Sequence, residues 1–203
     1  MDLIQHTSLA IYKAMKEESK INNTILEIEG MSTPKVRHLL NNLCEFNGCK
    51  YLEVGSFKGS TLCSAMFANK AIATVYEDRS EFQDSNISLQ QLRDNINRFC
   101  EPNSVNLREE NFFTSLDDNQ YNVYFYDGIH RERYQYEAIR KVKNNMAKES
   151  IIIIDDFFCS VSKPKKNTFL ALNNHNFYIK HYTELTRDQG FHGGIGVFVV
   201  DNL

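Results

Sequence analysis

Apolar residues along this chain recur with two different periods, and the switch between them lays out the elements. From Leu3 to Lys20 they are spaced as on one face of a helix (Ile4, Leu9, Ile11, Tyr12, Met15), which predicts an amphipathic helix. Ser32-Thr33-Pro34 supplies a capping hydroxyl and then a proline for the first turn. A second helix is therefore predicted to about Asn47, with Gly48 to stop it. From Lys50 onward, short and mostly apolar runs alternate with longer helical patterns. The runs predict strands at 50–54, 72–76, 105–109, 122–126 and 150–154, and the stretches between and after them predict helices at 59–69, 85–99, 131–147 and 166–174. Strands this apolar are expected to be covered on both faces, and alternating strand–helix units favour a parallel, doubly wound sheet. The end of the chain breaks the alternation. Phe177 to Glu184 and Ile195 to Val200 are two strands in succession, which suggests an antiparallel hairpin.

Composition narrows the class. A chain of 203 residues suits one domain. The division expected is a helical extension over 1–30 and the main domain over 31–203. The net charge of -3 comes without any long basic stretch, so no nucleic-acid partner is expected. The five cysteines are scattered and form no Cys-x-x-Cys pair, which reads as reduced thiols and not as a zinc site. With no apolar N-terminal run of signal-peptide length, the expected location is cytoplasmic. The longest aliphatic run, Ile151 to Ile154, is far too short to span a bilayer, so no membrane partner is expected. The N-terminal helix could cover a cleft or a partner subunit, which leaves a homo-oligomer open.

In open α/β sheets, ligands sit at the carboxyl ends of the strands, so candidate chemistry is sought there. After the first predicted strand comes Glu53-Val54-Gly55-Ser56-Phe57-Lys58-Gly59-Ser60-Thr61. Its glycines allow a tight turn into a helix and close approach of a ligand. The second strand ends in Glu77-Asp78, and the third is followed by Asn111-Phe112. The fourth ends in Asp127-Gly128-Ile129-His130 and the fifth in Asp155-Asp156. Neighbouring strands would bring Asp127, Asp155 and Asp156 to one edge. Three carboxylates that close repel one another unless one is protonated or a cation neutralises them. Oxygen ligands without His or Cys suit Mg²⁺, Mn²⁺ or Ca²⁺.

The Glu-x-Gly-x-x-x-Gly pattern of Glu53, Gly55 and Gly59 resembles the first motif of class I methyltransferases, which use S-adenosylmethionine (SAM). The resemblance covers roughly residues 35–203. It implies a Rossmann-like sheet of five parallel strands closed by a C-terminal antiparallel hairpin, with helices on both faces. It implies that Glu53 meets the amino end of the methionine moiety, beside the turn residues Gly55, Ser56, Gly59, Ser60 and Thr61. Glu77, with Asp78 second, would hold the ribose hydroxyls; Asn111 and Phe112 would face the adenine, and Asp127 would also touch the cofactor. The Asp-Gly-x-His run at Asp127, followed by Asp155-Asp156, is similar to metal-dependent small-molecule O-methyltransferases of the catechol and of the macrolide and aminocoumarin sugar types. Their pattern implies a divalent cation (Mg, or Mn or Ca) on Asp127, Asp155 and Asp156. The catechol enzymes have Asp-Asn at the second place, and the sugar enzymes have Asp-Asp as here. Ile129 stands where the sugar enzymes have a further acid, which bears on the substrate class.

His130, three residues beyond Asp127, takes the place of a lysine that serves as base in the catechol enzymes. A histidine near neutral pKa can do the same work. Phe57 or Tyr126 could offer an aromatic face to the sulfonium. Lys163, Lys165 and Lys166 could face an anionic substrate, and His192 could touch substrate at the cleft mouth. The expected function is SAM-dependent O-methylation of a small hydroxylated molecule, assisted by the cation. The alternatives are a metal-independent small-molecule methyltransferase and a non-catalytic SAM-binding assembly protein. No Asn-Pro-Pro-Tyr-like amino-methylation motif follows the fourth strand.

Overall fold

The computed structural model describes residues 2–78 and 85–203. The chain begins with helices α1 (Leu3–Met15), α2 (Asn23–Leu26) and α3 (Pro34–Leu43). Then follow β1 (Lys50–Val54), α4 (Ser60–Met66), β2 (Ile72–Tyr76), α5 (Ser85–Phe99), β3 (Val105–Arg108) and α6 (Phe112–Ser115). The second half holds β4 (Tyr121–Tyr126), α7 (Glu132–Val142), β5 (Met146–Ile154), α8 (Pro164–Asn174), β6 (Phe177–Leu185) and β7 (Ile195–Asn202). The strands form one sheet in the order β3-β2-β1-β4-β5-β7-β6. β1 to β5 pair in parallel, and β7 runs antiparallel to both β5 and β6. The sheet is therefore doubly wound about β1 and β4 and is closed at one side by the hairpin that the sequence predicts.

Each central strand feeds two cores because successive side chains point to opposite faces. Tyr51, Val75, Phe125 and Ile153 pack with Leu39, Leu43, Leu62 and Leu92 on the side of α1, α3, α4 and α5. Leu52, Tyr124, Ile152 and Phe198 pack with Ile139, Ala171 and Leu172 on the side of α7 and α8. This is why the strands read as continuous apolar runs.

Several boundaries differ from those expected. The helix predicted over 131–147 gives way at Lys143–Asn145 to a single 3-10 turn, and β5 starts at Met146. The start of β5 is anchored by Met146 opposite Tyr121 of β4 and by Glu149 opposite Asp201 of β7. The first helix stops at Met15, not Lys20; Glu17 has a positive φ of 57°. Helices α2 and α6 were not expected; each has four residues. The N-terminal segment is tied to the body by buried Arg37, whose Nη1 donates to the carbonyls of Leu26 and Ile28 at 2.9 Å.

Candidate active site

Backbone bonds bring the strand ends to one edge. The N–H of Gly55 donates to Tyr76 O (3.0 Å), that of Asp127 to Val54 O (2.9 Å) and that of Asp155 to Tyr126 O (3.1 Å). Each residue that follows β1, β4 or β5 is thus docked on its neighbouring strand. Gly55 is required here: its φ is +88°, and a Cβ would sit 2.1 Å from the carbonyl oxygen of Asp127. A cleft of about 780 Å³ opens above this edge. Gly55, Phe57, Glu77, Asp78, Asn111 and Phe112 line one end. Asp127, Gly128, Ile129, His130, Arg131 and Asp156 line the other.

Glu77 lies at the end of β2 and is almost fully buried. Its Oε2 accepts the N–H of Phe57 at 2.8 Å and that of Ser56 at 3.0 Å, so the same acid shapes the glycine turn and lines the cleft. Asp78 accepts the Asn111 amide at 2.6 Å. Phe112 packs edge-on against Tyr76.

Glu53 is placed differently from its neighbours. It is fully buried and does not line the cleft. Tyr51 donates to its Oε2 at 2.6 Å, and the hydroxyls of Thr61 (2.7 Å) and Ser56 donate to its Oε1. Burial pushes its carboxyl above the usual carboxylate range, and the three hydroxyl donors hold it back. Ser56, Gly59, Ser60 and Thr61 also sit behind the cleft wall, with Gly59 capping α4 against Leu92.

At the other end, His130 stands between two acids. Its Nε2 is 3.5 Å from Asp127 Oδ1, and its Nδ1 is 3.6 Å from Asp156 Oδ2. Both distances are longer than a good hydrogen bond, and the buried Nδ1 has no hydrogen-bond partner. Asp156 has a φ of +48°, which turns its carboxylate toward Gly193, where a Cβ would lie 1.9 Å from Asp156 Oδ1.

Asp155 does not join them in the cleft wall. It hydrogen-bonds Asp127, and its carboxyl is pushed well above the usual range, first by burial and then by the charges of Asp127 and Asp156. Either a proton or a cation at this pair relieves their repulsion. Among the described residues, no group of three or more His, Cys, Asp or Glu side chains is arranged to hold a metal ion. At the shared edge Asp155 is hydrogen-bonded to Asp127 and feels the charge of Asp156, and His130 stands between Asp127 and Asp156.

Other expectations sort plainly. Phe57 lines the cleft; Tyr126 is buried beneath it, its hydroxyl donating to Ile129 O at 3.3 Å. Lys163 pairs with Glu132 (3.2 Å) and Lys165 with Glu184 (2.6 Å). His192 is exposed and outside the lining. Met31, Arg131 and Tyr134 line the cleft without having been singled out. Arg131 and Tyr134 follow directly on the His130 run; Met31 carries no sequence signal. No helix among the described residues is long and apolar enough to cross a membrane.

No protein-family model matches the chain, and no curated protein matches it. Solved structures do. TrmN from Thermus thermophilus superposes with a TM-score of 0.63 at 11% identity, over 89% of this chain and 52% of that one. SMU.776, a provisionally assigned methyltransferase complexed with SAH, gives 0.61 at 14% identity, over 83% and 48%. A provisionally assigned O-methyltransferase from Klebsiella pneumoniae gives 0.62 at 13% identity, over 95% and 90%. The chain spans about half the length of the first two. At these identities the likeness is one of fold: this chain has the class I methyltransferase fold, five parallel strands and a closing antiparallel hairpin, with its cleft at the strand edge where that fold is read.

Proposed function

We propose that this chain is a SAM-dependent methyltransferase that methylates an oxygen of a small hydroxylated molecule. The observation that carries the reading is the two-ended cleft. A glycine turn braced by Glu77 forms one end, and His130 between Asp127 and Asp156 forms the other. The residues of the first end fit the cofactor. Glu77 and Asp78 suit the ribose, and Asn111 and Phe112 the adenine; Asp127 of the other end, whose carbonyl lies beside Gly55, suits the methionine ammonium. Glu53 then supports the turn from behind through Ser56 and Thr61. SAM, when bound, supplies the electrophilic methyl group.

The chain's own residues do the rest. The cleft walls bring the acceptor oxygen into line with the methyl carbon, which is chiefly a gain of proximity. His130 takes the hydroxyl proton as the oxygen attacks, and the carboxylates of Asp127 and Asp156 stabilise the imidazolium that forms. The proton goes to His130, which both carboxylates flank, so this route needs no divalent cation. The acids Glu77, Asp78, Glu110, Asp127 and Asp156 outnumber Arg131 along the lining, which favours a small acceptor over a polyphosphate chain.

The experiment is methyl transfer from isotopically labelled SAM to a panel of small hydroxylated acceptors, read by mass spectrometry. Label in an acceptor, lost in His130→Ala, is the expected result. Label only in added RNA or protein, with none in any small acceptor, overturns the substrate class.

A further inference from the structure

We propose that this chain carries a second binding site, for a free α-amino acid, in a cavity behind the glycine turn. The cavity has a volume of about 330 Å³, and no residue lines both it and the cleft. Helix α5, the turn residue Lys58 and the segment that follows α2 frame it. Phe57 lines the cleft and Lys58 lines this cavity, so adjacent residues of the turn serve the two. The frame is tied together at Lys58. Its carbonyl accepts Asn95 Nδ2 at 2.8 Å, which joins the turn to α5. Its Nζ pairs with Glu29 at 2.5 Å, which joins the turn to the N-terminal segment.

The lining carries both signs of charge: Lys58 and Arg98 are its bases, and Glu27, Glu29 and Asp94 its acids. Lys58 is set deep, with 14% of its side chain exposed against 72% for Glu29, so a cation lies low and its acid at the rim. Arg98 lies over the Phe99 ring at 4.9 Å, and among the described residues no acid pairs with it and no base pairs with Glu27. A guanidinium fork takes a carboxylate in two bonds, and a carboxylate takes an ammonium. The amide oxygen of Gln91, also in the lining, is buried without a hydrogen-bond partner. The last torsion of a glutamine is soft, so a half-turn presents that oxygen to a ligand N–H. One small molecule that answers all of these groups holds a carboxylate and an ammonium together. A pure anion meets the repulsion of Glu27 and Asp94, and a pure cation that of Arg98 and Lys58. Ile28 and Phe99 give the ligand's side chain an apolar wall. The volume lies at the small end of ligand pockets, which start near about 300 Å³. The inference does not depend on the methyl-transfer reading.

The test is calorimetric titration of the full chain with L-amino acids one at a time, run beside acetate and putrescine, which carry only one of the two charges. At least one amino acid is expected to bind with a dissociation constant of about 1 mM or tighter, and acetate and putrescine at least about tenfold more weakly. SAH in excess should leave the binding in place, because the cavity and the cleft share no lining residue. Arg98→Ala and Glu27→Gln should each weaken it about tenfold, the worth of one hydrogen bond to a charged group. Both side chains are exposed, so the variants should keep the urea midpoint of the parent. Binding of no amino acid, acetate or putrescine bound as tightly, displacement by SAH, or unchanged affinity in either variant overturns the proposal.

Discussion

The carboxylate of Glu77, at the end of β2, holds the turn that follows β1: Oε2 accepts the Phe57 N–H at 2.8 Å and the Ser56 N–H at 3.0 Å. One acid therefore joins two neighbouring strand ends and presents itself to the cleft they frame. Hydrogen bonds to a charged acceptor contribute about 1.5–3 kcal/mol each. Glu77→Ala should lower the urea midpoint and weaken SAH binding together. Glu77→Gln, which keeps an acceptor oxygen, should recover most of the stability and little of the affinity. Equal loss of both in the two variants would contradict this split.

Glu53 gives a prediction of the opposite kind. Its carboxylate is out of reach of the cleft, so Tyr51→Phe acts on stability alone. Leaving the buried carboxylate one donor short costs about 1–3 kcal/mol. SAH affinity should change by less than about twofold, within the 1.4 kcal/mol that separates a tenfold difference. Calorimetry on parent and variant checks it, and a large loss of affinity would return Glu53 to the cofactor.

Asp155 sets a pH dependence. Its folded carboxyl lies well above its unfolded value, because of burial and then Asp127. The folded state then binds the extra proton in the window between those two values. Its contribution is full below the unfolded value near about 3.9 and is lost as pH rises through the folded one. Asp155→Asn supplies the hydrogen-bond donor permanently. The variant should match or exceed the parent at neutral pH, and its advantage should shrink toward about pH 4. Urea midpoints of both proteins across that range decide it; a variant that grows less stable than the parent as pH rises has the wrong sign.

His130→Ala should reduce turnover by about 10²–10⁴-fold and leave SAH affinity nearly unchanged. With His130 as the base, chelator should leave turnover of the parent intact; turnover abolished by chelator and restored by Mg²⁺ would instead place a cation on Asp127, Asp155 and Asp156.

The parallel, doubly wound sheet was legible in the sequence because the central strands are buried on both faces. Leu52, Tyr124 and Ile152 serve one core, and Tyr51, Phe125 and Ile153 the other. The start of β5 was not legible. Met146 and Ala147 read as the end of the helix predicted over 131–147, and Lys148 and Glu149 carry no strand pattern of their own. In the site, the glycine turn, Glu77 and His130 were readable from their places at strand ends. The role of Glu53 was half readable. Tyr51 shares its strand face by the two-residue period, yet the closure of Thr61 over it depends on how α4 starts. The turn of the Asp156 carboxylate toward Gly193 was not readable, because it follows from the φ of +48° at Asp156, which leaves no mark on the residue pattern.

The central claim is that the cleft between the ends of β1, β2 and β4 takes SAM. The most direct measurement is calorimetric titration of the purified chain with SAH, run beside NAD. The account predicts one SAH per chain and no NAD. It also predicts an affinity at least about tenfold lower in Glu77→Ala and, at about 100 times the dissociation constant, about 2.7 kcal/mol of added stability. No SAH binding, or NAD bound in its place, would contradict it.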